Sequence, residues 1–177
     1  MINQARRFHR FSRITLILLL FASTICQGQA AVTFVFDYGA GSIGFNDATE
    51  GATRRAALED AAATLGSWFG HTATIHLDAK SDAGGGGVGA TLAAAGSEYS
   101  VITGFRGYEE GIVGTKILTN GADDWNGGAA DGEIRVFFGN TWDFDDNVDA
   151  GAFDFKSVVM HEMLHAVGFA SGINQNG

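Results

Sequence analysis

The chain predicts an α+β fold: a mixed twisted sheet with one backing helix and a second, histidine-bearing helix late in the sequence. Three observations support this. Val32–Phe36, Thr72–Leu77 and Glu133–Phe138 are β-branched and aromatic runs of strand length. Thr53–Phe69 is alanine-rich, with Leu58, Ala62, Leu65 and Phe69 recurring at helical spacing. A third segment, from Phe155 to Val167, carries Phe155, Val158, Val159, Leu164 and Val167 at near-helical intervals.

In chain order, Met1–Ala30 reads as a secretory signal peptide. Arg6, Arg7, Arg10 and Arg13 form its basic start, and Ile14–Ile25 its apolar stretch. Gly28-Gln29-Ala30 places small residues at the cleavage site. The apolar stretch falls short of the ~20 residues a spanning helix needs. Residues 31–177 then form one domain. Val32–Phe36 is its first strand, and Asp37–Asn46 a glycine-rich turn. On the Thr53–Phe69 helix, Arg54, Arg55, Glu59 and Asp60 are expected to face water. Ala83–Ala90 is a glycine-rich surface loop without the Gly-Lys-Ser/Thr of a phosphate loop. Tyr99–Thr103 suggests a short strand. Glu109–Leu118 is ambiguous between helix and strand, because Gly111 and Gly114 weaken both.

Charge narrows the partners. Removing the four leader arginines takes the net charge from −9 to −13. Such a surface repels nucleic acid and anionic membranes and suits a secreted or cell-surface protein. Membrane attachment would require an uncleaved leader or a C-terminal tail, and a monomer is expected. The one cysteine, Cys26, lies in the leader, so residues 31–177 form no disulfide. Stability must come from packing, with help from any bound metal.

Chemistry concentrates in His161-Glu162-Met163-Leu164-His165, an H-E-x-x-H run followed by Ala166-Val167-Gly168-Phe169. On a helix, residues four apart share one face, with Cβ atoms roughly 6 Å apart. His161 and His165 so placed suit a single Zn²⁺ through nitrogen ligands. Glu162 sits about 100° around the helix, where its carboxylate can take a proton from a water activated by the metal. Asp154 is placed to cap the helix start, and Gly168 to end it through a left-handed turn. Apolar neighbours are expected to keep the site dry.

The run His161–Phe169 resembles the active-site helix of zincin metallopeptidases. The glycine three residues after the second histidine is similar to the metzincin branch, including matrixin-like and leishmanolysin-like enzymes. Phe153–Ser171 resembles secreted bacterial metalloproteases that carry C-terminal sorting tails. The resemblance implies a zincin-like catalytic subdomain and a secreted zinc endopeptidase acting on a protein or peptide substrate, with Glu162 as general base. It also implies a third zinc ligand. The common metzincin position for it is Ser171, whose neutral hydroxyl is a poor ligand. No methionine follows Met163 to make the turn that metzincins place beneath the metal. A C-terminally truncated chain, with the third ligand beyond Gly177, is therefore expected. His71 and His76 would serve as that ligand only in a topology unlike known zincins.

A second cation is suggested by Asp143, Asp145, Asn147 and Asp149, which alternate as calcium ligands do at positions 1, 3, 5 and 7, with Asp154 at position 12. Val148 stands where such loops need glycine, and a solvated acidic loop is the competing reading. Two other functional readings stay open: a non-catalytic binding protein on a zincin scaffold, and a calcium-stabilised adhesion module.

Overall fold

The computed structural model of the chain describes residues 31–87, 89–101 and 109–169. The expected signal peptide, Cys26 and Ser171 lie outside those residues. The described chain is α+β, with three α-helices and a mixed four-stranded sheet. No helix among the described residues is long and apolar enough to cross a membrane.

Strand β1 (Val32–Asp37) runs parallel to β2 (Ala73–Asp82), pairing Phe34 with Ile75 and Phe36 with Leu77. Helix α1 (Gly51–Gly66) is the connection between them. It starts two residues before the expected span and ends three before it, at Gly66, where the chain presses against the Val32 carbonyl and leaves no room for a side chain. Strand β2 is longer than its Thr72–Leu77 signal, because its second half pairs with β6 (Gly132–Phe137) and gains a partner that sequence alone does not reveal. Strand β3 (Ala93–Ser97) closes the sheet as an antiparallel edge on β6, giving the order β1-β2-β6-β3.

Alternation along the strands separates two faces. Ile75, Leu77, Ala79, Ile134 and Val136 are buried beneath α1 and α3 (Phe155–Val167). Lys80, Glu133 and Arg135 point to the other face, where Lys80 pairs with Glu133 and Arg135 lies 3.6 Å from Glu133 and 4.0 Å from Asp82. The Lys80 ammonium holds the Glu133 carboxyl below its usual range.

Two expectations needed tertiary context. Arg54 and Arg55 do not stand in water. Their guanidinium groups lie 4.6 Å from the Phe138 ring centre and 5.6 Å from that of Tyr38, and each donates to a backbone carbonyl, Gly44 and Phe45 respectively. The ambiguous Glu109–Leu118 segment divides into β5 (Glu109–Gly111), paired with β4 (Tyr99–Val101), and the short helix α2 (Ile112–Leu118). Residues 102 and 103, the rest of the expected Tyr99–Thr103 strand, are outside the described residues.

Helix α2 carries a buried charge. Lys116 Nζ lies 3.2 Å from both oxygens of the fully buried Asp131 and 3.3 Å from Asp124. Asp131 also accepts from the His76 amide at 2.8 Å, so one carboxylate ties α2 to the β2 backbone. A buried carboxylate is tolerated only with such partners.

Candidate metal centre

Helix α3 is fixed at both ends and along one side. At its start, Asp154 accepts from the Lys156 amide at 3.1 Å and also bonds the Ser157 hydroxyl, acting as the expected cap. At its end, Gly168 sits at φ 118°, a left-handed conformation that a side chain would strain. Phe155, Val159, Met163 and Ala166 form the fully buried stripe, while Val158, Leu164 and Val167 pack at its margins. Met163 and Ala166 thus belong to the buried face, although the sequence stripe named neither. Phe155 is gripped by an aromatic cluster, with ring centres 5.4 Å from Trp142, 4.9 Å from Phe144 and 6.4 Å from Phe138. The β7 (Trp142–Asp143) and β8 (Phe153–Asp154) pair delivers the chain into this cluster. Lys156 reaches across to Asp60 of α1 at 2.6 Å, and that carboxylate raises the lysine pKa.

With one side anchored, the opposite side presents His161, Glu162 and His165. The imidazole rings stand nearly perpendicular, with centres 4.8 Å apart. One potential ligand atom from each of the three residues lies within 4.8 Å of the other two. A tetrahedral ion with Zn–N bonds of about 2.05 Å needs nitrogens about 3.3 Å apart, a closure within reach of side-chain rotation. The two imidazoles supply two nitrogen donors of the kind zinc prefers, and the Glu162 carboxylate stands beside them. The residues therefore fit a zinc ion. Among the described residues this is the one trio of His, Cys, Asp or Glu side chains that converges so.

His165 is oriented by its surroundings. Its Nδ1 lies 2.7 Å from the Phe169 carbonyl, which can only accept, so Nδ1 carries the proton. That leaves the Nε2 lone pair free for a metal, the arrangement typical of ligating histidines. The turn at Gly168 brings the Phe169 carbonyl back to the ring, so the glycine of the motif has an identifiable geometric role.

The site is open. His161 is exposed and Glu162 half-buried, so the expected dry environment is not realised around the first histidine. A groove of about 400 Å³ runs between α3 and the sheet edge, lined by Thr91, Leu92, Ala93, Ser157, Val158, His161 and Glu162. One wall is the helix; the other is the approach to β3 and its first residue. Strand β3 was missed in the sequence because alanines carry no β-branched signal. Ala93 is buried and Ala94 exposed, but a run of three alanines carries no apolar–polar contrast to read.

The acidic stretch behaves differently. Asp143 accepts from the Asp145 and Asp149 amides at 3.0 and 2.9 Å, and Asp145 from the Asn147 amide at 2.8 Å. The Asp149 and Asp145 amides hold the Asp143 carboxyl below its ordinary value of 3.8. Asp145, Asn147 and Asp149 are exposed. His71 lies just before β2 and His76 within it, separated from the β3 edge by β6, and neither joins such a trio among the described residues. No protein-family model, no curated protein and no solved structure matches the chain.

Proposed function

We propose that the protein is a secreted zinc-dependent endopeptidase of zincin, metzincin-like type. The observation supporting this most is the trio on α3, two imidazoles and a carboxylate gathered along one side of the helix, of which His161 and Glu162 line a groove. The basic and apolar Met1–Ala30 segment supports secretion.

His161 and His165 would hold the ion, the latter through Nε2 because its Nδ1 proton is committed to Phe169. A zinc ion held there supplies Lewis acidity, polarising a water molecule and the scissile carbonyl of a peptide. Glu162 accepts the water's proton at a carboxylate oxygen and returns it to the departing amine nitrogen. Its half-exposed position beside the groove leaves that oxygen accessible to both. The groove aligns an extended peptide segment alongside the reacting groups, converting encounter into orientation.

Glu162→Gln keeps size and hydrogen bonding but removes the proton acceptor. It should lower kcat for a fluorogenic peptide about 10²–10⁴-fold while zinc content holds. Unchanged kcat in that variant would overturn Glu162 as the base.

A further inference from the structure

Asn140 lies just past β6, outside the trio, and is buried at 7 % exposure. Its carboxamide joins the two limbs of the glycine-rich loop that leads to the groove. Oδ1 accepts from the Gly86 amide at 2.8 Å, on the outgoing limb. Nδ2 donates to the Thr91 carbonyl at 3.1 Å, on the returning limb, and to the Phe137 carbonyl at 3.1 Å. A primary amide is one of few side-chain groups that offer donor and acceptor together, so one residue can hold both strands of a loop. The loop is shaped around it. Gly85 sits at φ 110°, and a side chain there would collide with the Asn140 amide. Gly139 packs against the Gly84 carbonyl and donates to it at 2.9 Å.

The residue held by this clasp is the one that starts the groove wall. Thr91, Leu92 and Ala93 face Ser157, Val158, His161 and Glu162 across the groove. Ala93 is already fixed by pairing with Val136 of β6, and Leu92 by its carbonyl accepting from the Phe137 amide at 3.0 Å. Thr91, one residue further out, has no strand partner, and its carbonyl is held by Asn140. The chain there is otherwise glycine-rich, so its position would blur without the amide.

We propose that Asn140 is a positioning residue for substrate: it sets the distance of the Thr91–Ala93 wall from His161 and Glu162 and so fixes how a bound peptide lies across them. The proposal rests on the peptidase reading above. Because Asn140 touches neither the trio nor the groove itself, its loss acts on substrate placement and leaves the metal-holding side chains alone.

The test compares Asn140→Ala, Asn140→Asp and Gly85→Ala with wild type. Asn140→Asp keeps the acceptor for Gly86 and loses the donor for Thr91; Gly85→Ala displaces an intact asparagine. Each should raise KM for a fluorogenic peptide about tenfold, with kcat within about twofold. Zinc content should be unchanged, and amide exchange should rise across residues 89–93 but not across α3. Because two of the variants keep a polar residue or the asparagine itself, failure of Asn140→Ala to fold leaves the test intact. Faster exchange at residues 89–93 with KM unmoved would overturn the proposal and reduce Asn140 to a loop anchor. Wild-type protein that holds zinc yet cleaves no peptide would overturn the peptidase reading, and this inference with it.

Discussion

Two stretches of this chain look like ion sites in sequence, and the fold builds them by different means: one lies on a helix and the other in an exposed loop. On α3, His161, Glu162 and His165 converge, because the helix repeat alone sets their spacing and a buried stripe fixes which side they occupy. In the Asp143–Asp149 loop, no helix repeat sets the spacing of the alternate acids. A calcium loop bends sharply at glycine, and Val148 stands in that place. The loop is instead held by Asp143 and Asp145 accepting from its own amides. Ligand spacing is informative where the backbone period is known beforehand, and much less so where a turn must supply the convergence.

The contrast is sharpest at Phe155, which anchors α3 in the core just after the loop ends. Phe155→Ala removes a fully buried ring from contact with Trp142 and Phe144. It should cost about 3–5 kcal/mol of unfolding free energy in urea titration. The matched change in the loop, Asp145→Ala, removes an exposed side chain and should fall within about 1 kcal/mol of wild type. Equal losses would mean the loop is as integral to the fold as the helix.

Asp154 belongs to both patterns, as the cap of α3 and as the twelfth position of the calcium-like spacing. As a cap, Asp154→Ala should cost about 1 kcal/mol in calcium-free buffer, measured by the same titration. A loss that appears only with calcium present would assign the residue to the loop instead.

The smallest expected effect is acid sensitivity. The Asp143 carboxyl is depressed by the Asp149 and Asp145 amides, and the Asp47 carboxyl by the Glu50 and Thr49 amides. A depressed folded-state pKa stabilises the fold above the unfolded value, and that contribution is lost as pH falls through the folded value. Melting temperature should therefore decline below about pH 4, and Asp143→Asn should make the decline shallower. A melting temperature that stays flat down to about pH 2.5 would contradict the assigned amide bonds.

What could be read from the sequence follows the same division. The cap at Asp154, the stop at Gly168 and the face shared by the two histidines depend on neighbours within one or two helical turns, and all three are present. Helix periodicity points the two arginines of α1 toward water because it says nothing of Tyr38 and Phe138, which arrive from distant segments. Strand β3 lacked a signal in its alanines, and the role of Asn140 depends on hydrogen bonds spanning about fifty residues of chain. Thus half of the groove, the helix wall, was legible, and the half supplied by the sheet edge was not.

The most direct test of the central claim is a zinc titration of the protein, read by calorimetry and by X-ray absorption at the zinc edge. One zinc per chain is expected, with nitrogen neighbours at about 2.0–2.1 Å, lost in His161→Ala and in His165→Ala and retained in Asp145→Asn. One zinc still bound with both histidines replaced, or none bound by the wild-type protein, would contradict it.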